Sequence, residues 1–391
     1  MKKNLFLGFI ACATLAMTGC TNDGVVAEGA KTQPAAIEFG TYLGRDVQTR
    51  GTVMNNDALK NMGVYASYTA NKDFDGTTAP NFMYNQEVTK NSSIWSYTPV
   101  KYWPSTQNDK VSFFAYAPFG TEANGISTSS QNNTTGAPSV TVEIKGAKDM
   151  VDFVAGVQMN KSFDNGASAN NTVAFSLQHE MSRVGISAKL DKEVYSDEAS
   201  KKTFVVIKDV QIDKVGDEGQ FYNKATYTFS TTTGTRGTWD FANATKSNAD
   251  WNLADILNKT PITAEGAKSG VYKTGVDGIK LTNGTAVPLF KETDFLFLIP
   301  ASDNKGTGLT GGKATATISY DIVTEDSKLE RGYSLTSATK TVNLPAGTLQ
   351  QGVAYTYTFV IKLNEVVLSA TVNDWSEATN SDIDIPYNAN K

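Results

Sequence analysis

The chain contains one histidine and two cysteines among its 391 residues, and these shortages exclude several kinds of site. His179 alone cannot supply a metal centre that needs several histidines. The sequence also has no Gly-x-Ser-x-Gly segment to present a serine nucleophile beside it. We therefore predict a structural role for His179, no metal or other cofactor, and a protein that is not an enzyme.

Cysteine is too scarce for a protein held together by disulfides, and positive charge is too scarce for a protein that binds nucleic acid. Cys12 falls within the export signal predicted below, so Cys20 is the one cysteine of the mature chain and no internal disulfide is expected. The 35 basic residues are outnumbered by 40 acidic residues, and the pI is near 5.2. Such a chain presents no basic field for phosphate backbones, so nucleic acid is not a predicted partner.

Long hydrophobic stretches are also missing, because the apolar run at residues 5–17 is too short to span a bilayer. It follows Lys2 and Lys3, an arrangement typical of a signal peptide, which we assign to residues 1–19. The segment ends in Met-Thr-Gly followed by Cys20 and resembles a bacterial lipobox, which predicts lipidation of Cys20. Two or more acyl chains would anchor the precursor stably. An ordinary secretory signal with an incidental cysteine is the alternative.

Threonine, tyrosine, phenylalanine and glycine are plentiful, and together with frequent turn signals they predict an all-β protein. Residues 20–35 read as a flexible tether. Beyond it, Ile37, Phe39, Thr41 and Leu43 alternate with other residues, as expected of a strand with one buried face. The polar segment that follows carries Arg45 and Arg50, either of which suits a trypsin-like protease if the segment is accessible.

Several motifs occur in an order that resembles the fimbrillin family, whose members are subunits of protease-matured pili. They are Tyr-Trp-Pro at 102–104, the strand-like segment 110–118, Asp-Phe-Val-Ala at 152–155, Phe175 with His179, Phe-Leu-Ile-Pro at 297–300, the Gly-x-x-Tyr-x-Tyr segment within 349–359, and the segment 370–375. Each motif is weak alone. The ordered set extends from the lipobox to the C-terminus and is fairly specific.

The resemblance implies two tandem transthyretin-like β-sandwich domains, assigned to residues 36–168 and 169–391. It implies a precursor anchored in the outer membrane by its lipid, cut after Arg50 or Arg45, and polymerised with other pilin subunits by donor-strand exchange into an adhesive surface fimbria. The cut would remove the strand that carries Ile37, Phe39, Thr41 and Leu43. Host or bacterial surface ligands would be further partners.

A second strand-like stretch near the C-terminus is a candidate donor for that exchange. Ile383, Ile385 and Tyr387 alternate with Asp382, Asp384 and Pro386 beyond the last core strand. Pro386 departs from a regular strand because it has no backbone N–H to donate. The candidate donor strand therefore requires Pro386 to face away from the hydrogen-bonded side.

Two other functions compete with the pilin assignment. Residue types alone do not exclude a glycosidase with paired carboxylates. A non-polymerising surface lipoprotein that binds host or dietary glycans is the stronger rival, with Trp95, Trp239 and Trp251 as a candidate sugar platform. The Gly-x-Gly-x-x-Gly at 306–311 leads into a strand-like segment and not a helix, so we interpret it as a hairpin loop.

Overall fold

Strands make up more than half of the residues that a computed structural model of the chain describes. The structure describes residues 35–43, 54, 57–128, 135–163, 172–195, 202–214, 221–247, 251–291, 294–300, 314–344, 349–362 and 366–374. The predicted lipidation site Cys20, cleavage sites Arg45 and Arg50, and candidate donor residues Ile383, Ile385 and Tyr387 lie outside these ranges. The all-β prediction is confirmed.

The strands are labelled in chain order. The first eleven are β1 (Glu38–Leu43), β2 (Asn61–Tyr68), β3 (Met83–Asn91), β4 (Ile94–Ser96), β5 (Val111–Ala117), β6 (Ile126–Thr128), β7 (Ser139–Glu143), β8 (Val154–Lys161), β9 (Thr172–His179), β10 (Ser182–Leu190) and β11 (Thr203–Lys214). The next eleven are β12 (Phe221–Thr228), β13 (Thr238–Ser247), β14 (Trp251–Asn252), β15 (Thr260–Ile262), β16 (Val276–Leu281), β17 (Val287–Pro288), β18 (Leu296–Leu298), β19 (Ala314–Glu325), β20 (Tyr333–Asn343), β21 (Val353–Ile361) and β22 (Val366–Asp374). Short helices occupy Lys192–Tyr195 (α1) and Val271–Thr274 (α2), and Ala147–Asp149 is a 3-10 turn.

Within the described residues, these strands form four sheets. Sheet A has seven strands in the order β1-β9-β8-β5-β2-β3-β4, and sheet B has four in the order β13-β12-β7-β6. Sheet C has the order β17-β10-β21-β22 with β18 also on β10. Sheet D has the order β15-β16-β11-β19-β20 with β14 also on β11.

The central strands β2 and β5 of sheet A are covered on both faces, and every residue of β5 is buried. Its Val111, Phe113 and Ala115 belong to one apolar cluster with the buried side chains of β1. Phe114 and Tyr116, on the opposite face, join the cluster shared with sheet B. Alternate side chains of one strand therefore serve two different cores, because successive residues point to opposite faces.

Strands from both halves of the sequence build the pair of sheets A and B. The strand β9, which the prediction places at the start of a second domain at residue 169, pairs with β1 and β8 in sheet A. Sheet B pairs β12, from residue 221 onward, with β7. Sheets C and D share a further core that includes Ile186 and Ile318. The division into two tandem transthyretin-like domains stays a prediction.

Candidate assembly site

The strand β1 lies at the edge of sheet A, and the residues just before it are also hydrogen-bonded on the other side. On one side it runs parallel to β9, with Glu38 opposite Thr172 and Leu43 opposite Leu177. On the other side its N-terminal end meets the segment 97–103. The amide of Ile37 donates to the carbonyl of Lys101 at 2.9 Å, and the amide of Trp103 donates to the carbonyl of Ala35 at 2.9 Å. The first strand of the described chain is therefore integrated into the sheet.

The side chains of β1 and the residue before it insert one apolar row into the core of sheet A. Ile37, Phe39 and Leu43 are 1%, 6% and 4% exposed, whereas Tyr42 on the opposite side is 53% exposed. Thr41 is half-buried. The predicted alternation thus describes these four positions, with Thr41 the least buried of the four.

Phe39 is the centre of this row because three aromatic rings surround it. Its ring stacks on Phe175 of β9 at a centroid distance of 5.9 Å and meets Phe113 edge-on at 6.0 Å. Tyr97 lies 5.2 Å away, and its hydroxyl donates to the carbonyl of Ile37 at 2.9 Å. No sequence signal marks Tyr97 as part of this site, since nothing in its local pattern distinguishes it from other loop tyrosines.

Met54 follows the two candidate cleavage arginines in the sequence and contacts the body of the protein. The amide of Met54 donates to Asp152 Oδ2 at 2.7 Å. The same carboxylate lies 3.0 Å from His179 Nδ1. Asp152 and His179 come from two of the motifs that carried the family resemblance, and β8 and β9 place them side by side through the pairing of Val154 with His179.

The residue after His179, Glu180, carries a second buried carboxylate and is 1% exposed. Burial raises its pKa from 4.5 to about 8, although the hydrogen bond from Gln351 and the charge of Arg236 act in the opposite direction. The indole of Trp239 donates to the Glu180 backbone carbonyl at 2.8 Å. Gly352, next to Gln351, has a φ of +67°, and a Cβ there would lie 2.9 Å from the backbone carbonyl oxygen of His179. The packing therefore requires glycine at residue 352.

One member of the candidate sugar platform, Trp239, needs correction. Trp239 is 4% exposed and packs between Phe153 and Tyr227, so it is a core residue and unavailable to a ligand. Trp95 is half-buried and packs against the core of sheet A, with Lys90 Nζ 5.7 Å from its ring centre. Aromatic residue type alone did not distinguish core positions from surface positions.

The described residues also bear on metal binding and on membrane-spanning helices. No group of three or more His, Cys, Asp or Glu side chains there is placed to hold a metal ion. No helix in the described part of the chain is long and apolar enough to cross a membrane. At this site, the edge strand β1 lies in an apolar groove.

Comparisons with known proteins agree with one another. A family model described as fimbrillin-like matches residues 49–375, so β1 lies outside the matched region. Fimbrium subunit Fim1C of Phocaeicola vulgatus is 31% identical over 395 residues, covering 95% of this chain and 97% of that protein. The crystal structure of a fimbrial protein from Bacteroides vulgatus has a TM-score of 0.69 at 27% identity, covering 87% of this chain and 99% of its own.

Proposed function

This chain belongs to the fimbrillin-like family, and from that premise we propose that it is a fimbrial subunit matured by proteolysis and polymerised by donor-strand exchange. Family membership makes it a fimbrial, adhesion-type protein of the cell surface. The finer proposal is that Cys20 carries the lipid of an outer-membrane precursor and that a trypsin-like protease cuts after Arg50, or after Arg45. The partners are then other pilin subunits and, through the fimbria, host or bacterial surface ligands.

The observation that carries this proposal is the placement of β1. It is an edge strand, it is joined to the rest of the chain through the segment with both arginines, and it inserts Ile37, Phe39 and Leu43 into the core. Burial of each such side chain contributes roughly 1.5–3 kcal/mol. Departure of β1 would expose the groove and unpair the edge of β9, and an incoming strand would recover both contributions.

The candidate donor strand matches the spacing of this groove. Ile383, Ile385 and Tyr387 are two residues apart, as are Ile37, Phe39, Thr41 and Leu43. In an extended strand this spacing puts all three side chains on one face. A tail from one subunit could therefore present an apolar row to the emptied groove of the next.

The proposal is tested by comparing the wild-type chain with Arg50→Ala, and with Arg45→Ala/Arg50→Ala, after treatment with trypsin. Wild-type protein is expected to lose β1, leave the membrane fraction and form filaments visible by negative-stain electron microscopy. The double variant is expected to remain monomeric and membrane-bound, and Cys20→Ala serves as the unanchored control. Filaments formed by the uncut double variant would contradict maturation by cleavage.

A further inference from the structure

The pair Asp152 and His179 has no role in the exchange of β1 described above, yet it contacts the chain close to the proposed cut. Met54 is four residues beyond Arg50, and its backbone amide donates to Asp152 Oδ2 at 2.7 Å. His179 Nδ1 lies 3.0 Å from both oxygens of the same carboxylate. The carboxylate therefore joins a backbone amide from one segment to a side chain from another.

The position of this carboxylate is fixed by sheet A. Asp152 is 3% exposed, and a buried carboxylate depends on hydrogen-bond donors for its stability. Two residues later Val154 pairs with His179, and the amide of Glu180 donates to the carbonyl of Phe153 at 2.9 Å. Both members of the pair are thus attached to the β8–β9 ladder, which gives them little freedom to move with Met54.

The side chain of Met54 adds a second attachment at the same place. It packs against the apolar cluster that contains Ile37, Phe39 and Leu43. The chain is therefore fixed at Leu43, where β1 ends, and fixed again at Met54. Both candidate cleavage sites, Arg45 and Arg50, lie between these two points.

We infer that Asp152 and His179 form a latch that holds the chain at Met54, so that a cut after Arg50 frees β1 while the new N-terminal segment stays on the body. The inference rests on the proposed function for its biological meaning. Asp152 and His179 are positioning residues in this role, because they would act through the backbone of Met54. Loss of a hydrogen bond to a charged acceptor raises the equilibrium constant for local opening by on the order of tenfold or more.

The latch is tested by amide hydrogen exchange at Met54 in the full, uncleaved chain. Asp152→Ala is expected to speed exchange of the Met54 amide by on the order of tenfold or more relative to wild type. Asp152→Asn keeps one acceptor oxygen and is expected to restore part of the protection. Asp109→Asn is the matched control, since Asp109 is also buried, at 5% exposure, but bonds to Tyr68 and not to Met54.

Exchange at Phe114 in the buried strand β5 reports global unfolding and serves as the internal reference. The inference is supported if Asp152→Ala accelerates Met54 far more than Phe114, and if Met54 stays protected in cleaved wild-type protein. It is overturned if Met54 is unaffected, if both amides accelerate equally, or if cleavage alone removes the protection. The variants are compared as uncleaved chains, so their exchange rates do not depend on cleavage or polymerisation. A failure to cut at Arg50 or to polymerise would therefore count against the proposed function and not against the latch.

Discussion

Phe39 is the residue of β1 whose environment would change most if a cut released this strand. It is 6% exposed and in contact with the rings of Tyr97, Phe113 and Phe175. These contacts exist only while β1 occupies its groove. The stability of the precursor should therefore depend on this side chain in a way that the stability of the cleaved body does not.

We predict that Phe39→Ala lowers the free energy of unfolding of the uncleaved chain by about 3–5 kcal/mol, the usual cost of emptying a buried phenylalanine site. Chemical denaturation followed by tryptophan fluorescence measures this change. Tyr42→Ala, at a position 53% exposed on the same strand, is the control and should change stability little. After proteolytic removal of β1, both variants should match the cleaved wild type. A difference that persists after proteolysis would show that the cut strand has stayed in its groove.

Glu180 makes stability depend on pH in a direction set by its burial. Its pKa is raised from 4.5 to about 8 in the folded protein, so the folded state binds a proton that the unfolded state releases. The folded state therefore has its full stability below pH about 4.5 with respect to this group. That stability is lost as the pH rises from about 4.5 towards 8, at a rate on the order of 1 kcal/mol per pH unit.

We predict that Glu180→Gln reduces this loss, because glutamine has no charge to bury. Thermal unfolding measured at pH 5, 6, 7 and 8 should show a shallower decline in Tm for the variant than for wild type. Glu122→Gln, at an exposed position, is the control and should follow the wild-type curve. Parallel curves for wild type and Glu180→Gln would mean that Glu180 is ionised in the folded protein throughout this range.

The strand pair β12 and β13 packs residues from the second half of the sequence against residues from the first half. It completes sheet B and places Phe229 within 5.8 Å of Phe114, and Tyr227 within 5.2 Å of Phe153, measured between ring centres. Those partners lie in the first half of the chain. The core between sheets A and B is therefore incomplete without residues 221–247.

We predict that the fragment 36–168, although it matches the first predicted domain, will not unfold cooperatively on heating. It lacks β9, β12 and β13, so Phe114 and Phe153 would be exposed to water. Circular dichroism and calorimetry measure this outcome. A fragment that joins 36–179 to 221–247 through a Gly/Ser linker restores sheets A and B and should recover a cooperative transition. Cooperative unfolding of 36–168 alone would establish it as an independent domain.

Local pattern predicted the strands well and their partners poorly. The predicted strand 110–118 is β5 (Val111–Ala117), because its aromatic and β-branched residues and the flanking Pro118 mark it clearly. The local pattern of residues 204–212 is that of two short strands, 204–207 and 210–212, yet they form one strand, β11, with a bulge between Ile207 and Asp209. A bulge inserts one residue and interrupts the alternation, so a single strand looks like two.

The candidate site was likewise predictable where its signal is local and not where it joins distant segments. The alternation of Ile37, Phe39 and Leu43 is a local signal, and it correctly indicated which side chains of the first strand would be buried. The parallel pairing with β9, the ring of Tyr97 and the contact between Asp152 and Met54 all join segments far apart in sequence. Their spacing along one chain contains no signal for such contacts. Only the assembled sheet brings them together.

Departure of β1 would leave a groove beside β9 that another segment could fill. The groove is lined by Val173, Phe175 and Leu177 of β9, which are 2%, 0% and 2% exposed while β1 is present. An emptied groove of this kind favours any strand that offers apolar side chains two residues apart. The candidate donor residues Ile383, Ile385 and Tyr387 have that spacing.

We predict that deletion of residues 382–391 blocks polymerisation of the cleaved subunit and leaves the uncleaved monomer with the same Tm as wild type. A synthetic peptide of residues 381–391 should then bind the cleaved, tail-deleted body and raise its Tm, because the peptide restores burial in the groove. The same peptide with serine at Ile383 and Ile385 should not bind, since it retains the backbone but loses the apolar row. Pro386 must face away from β9 for this fit, so Pro386→Val should be tolerated in the peptide. Filaments formed by the cleaved, tail-deleted protein would identify another donor segment or a polymer built without strand exchange.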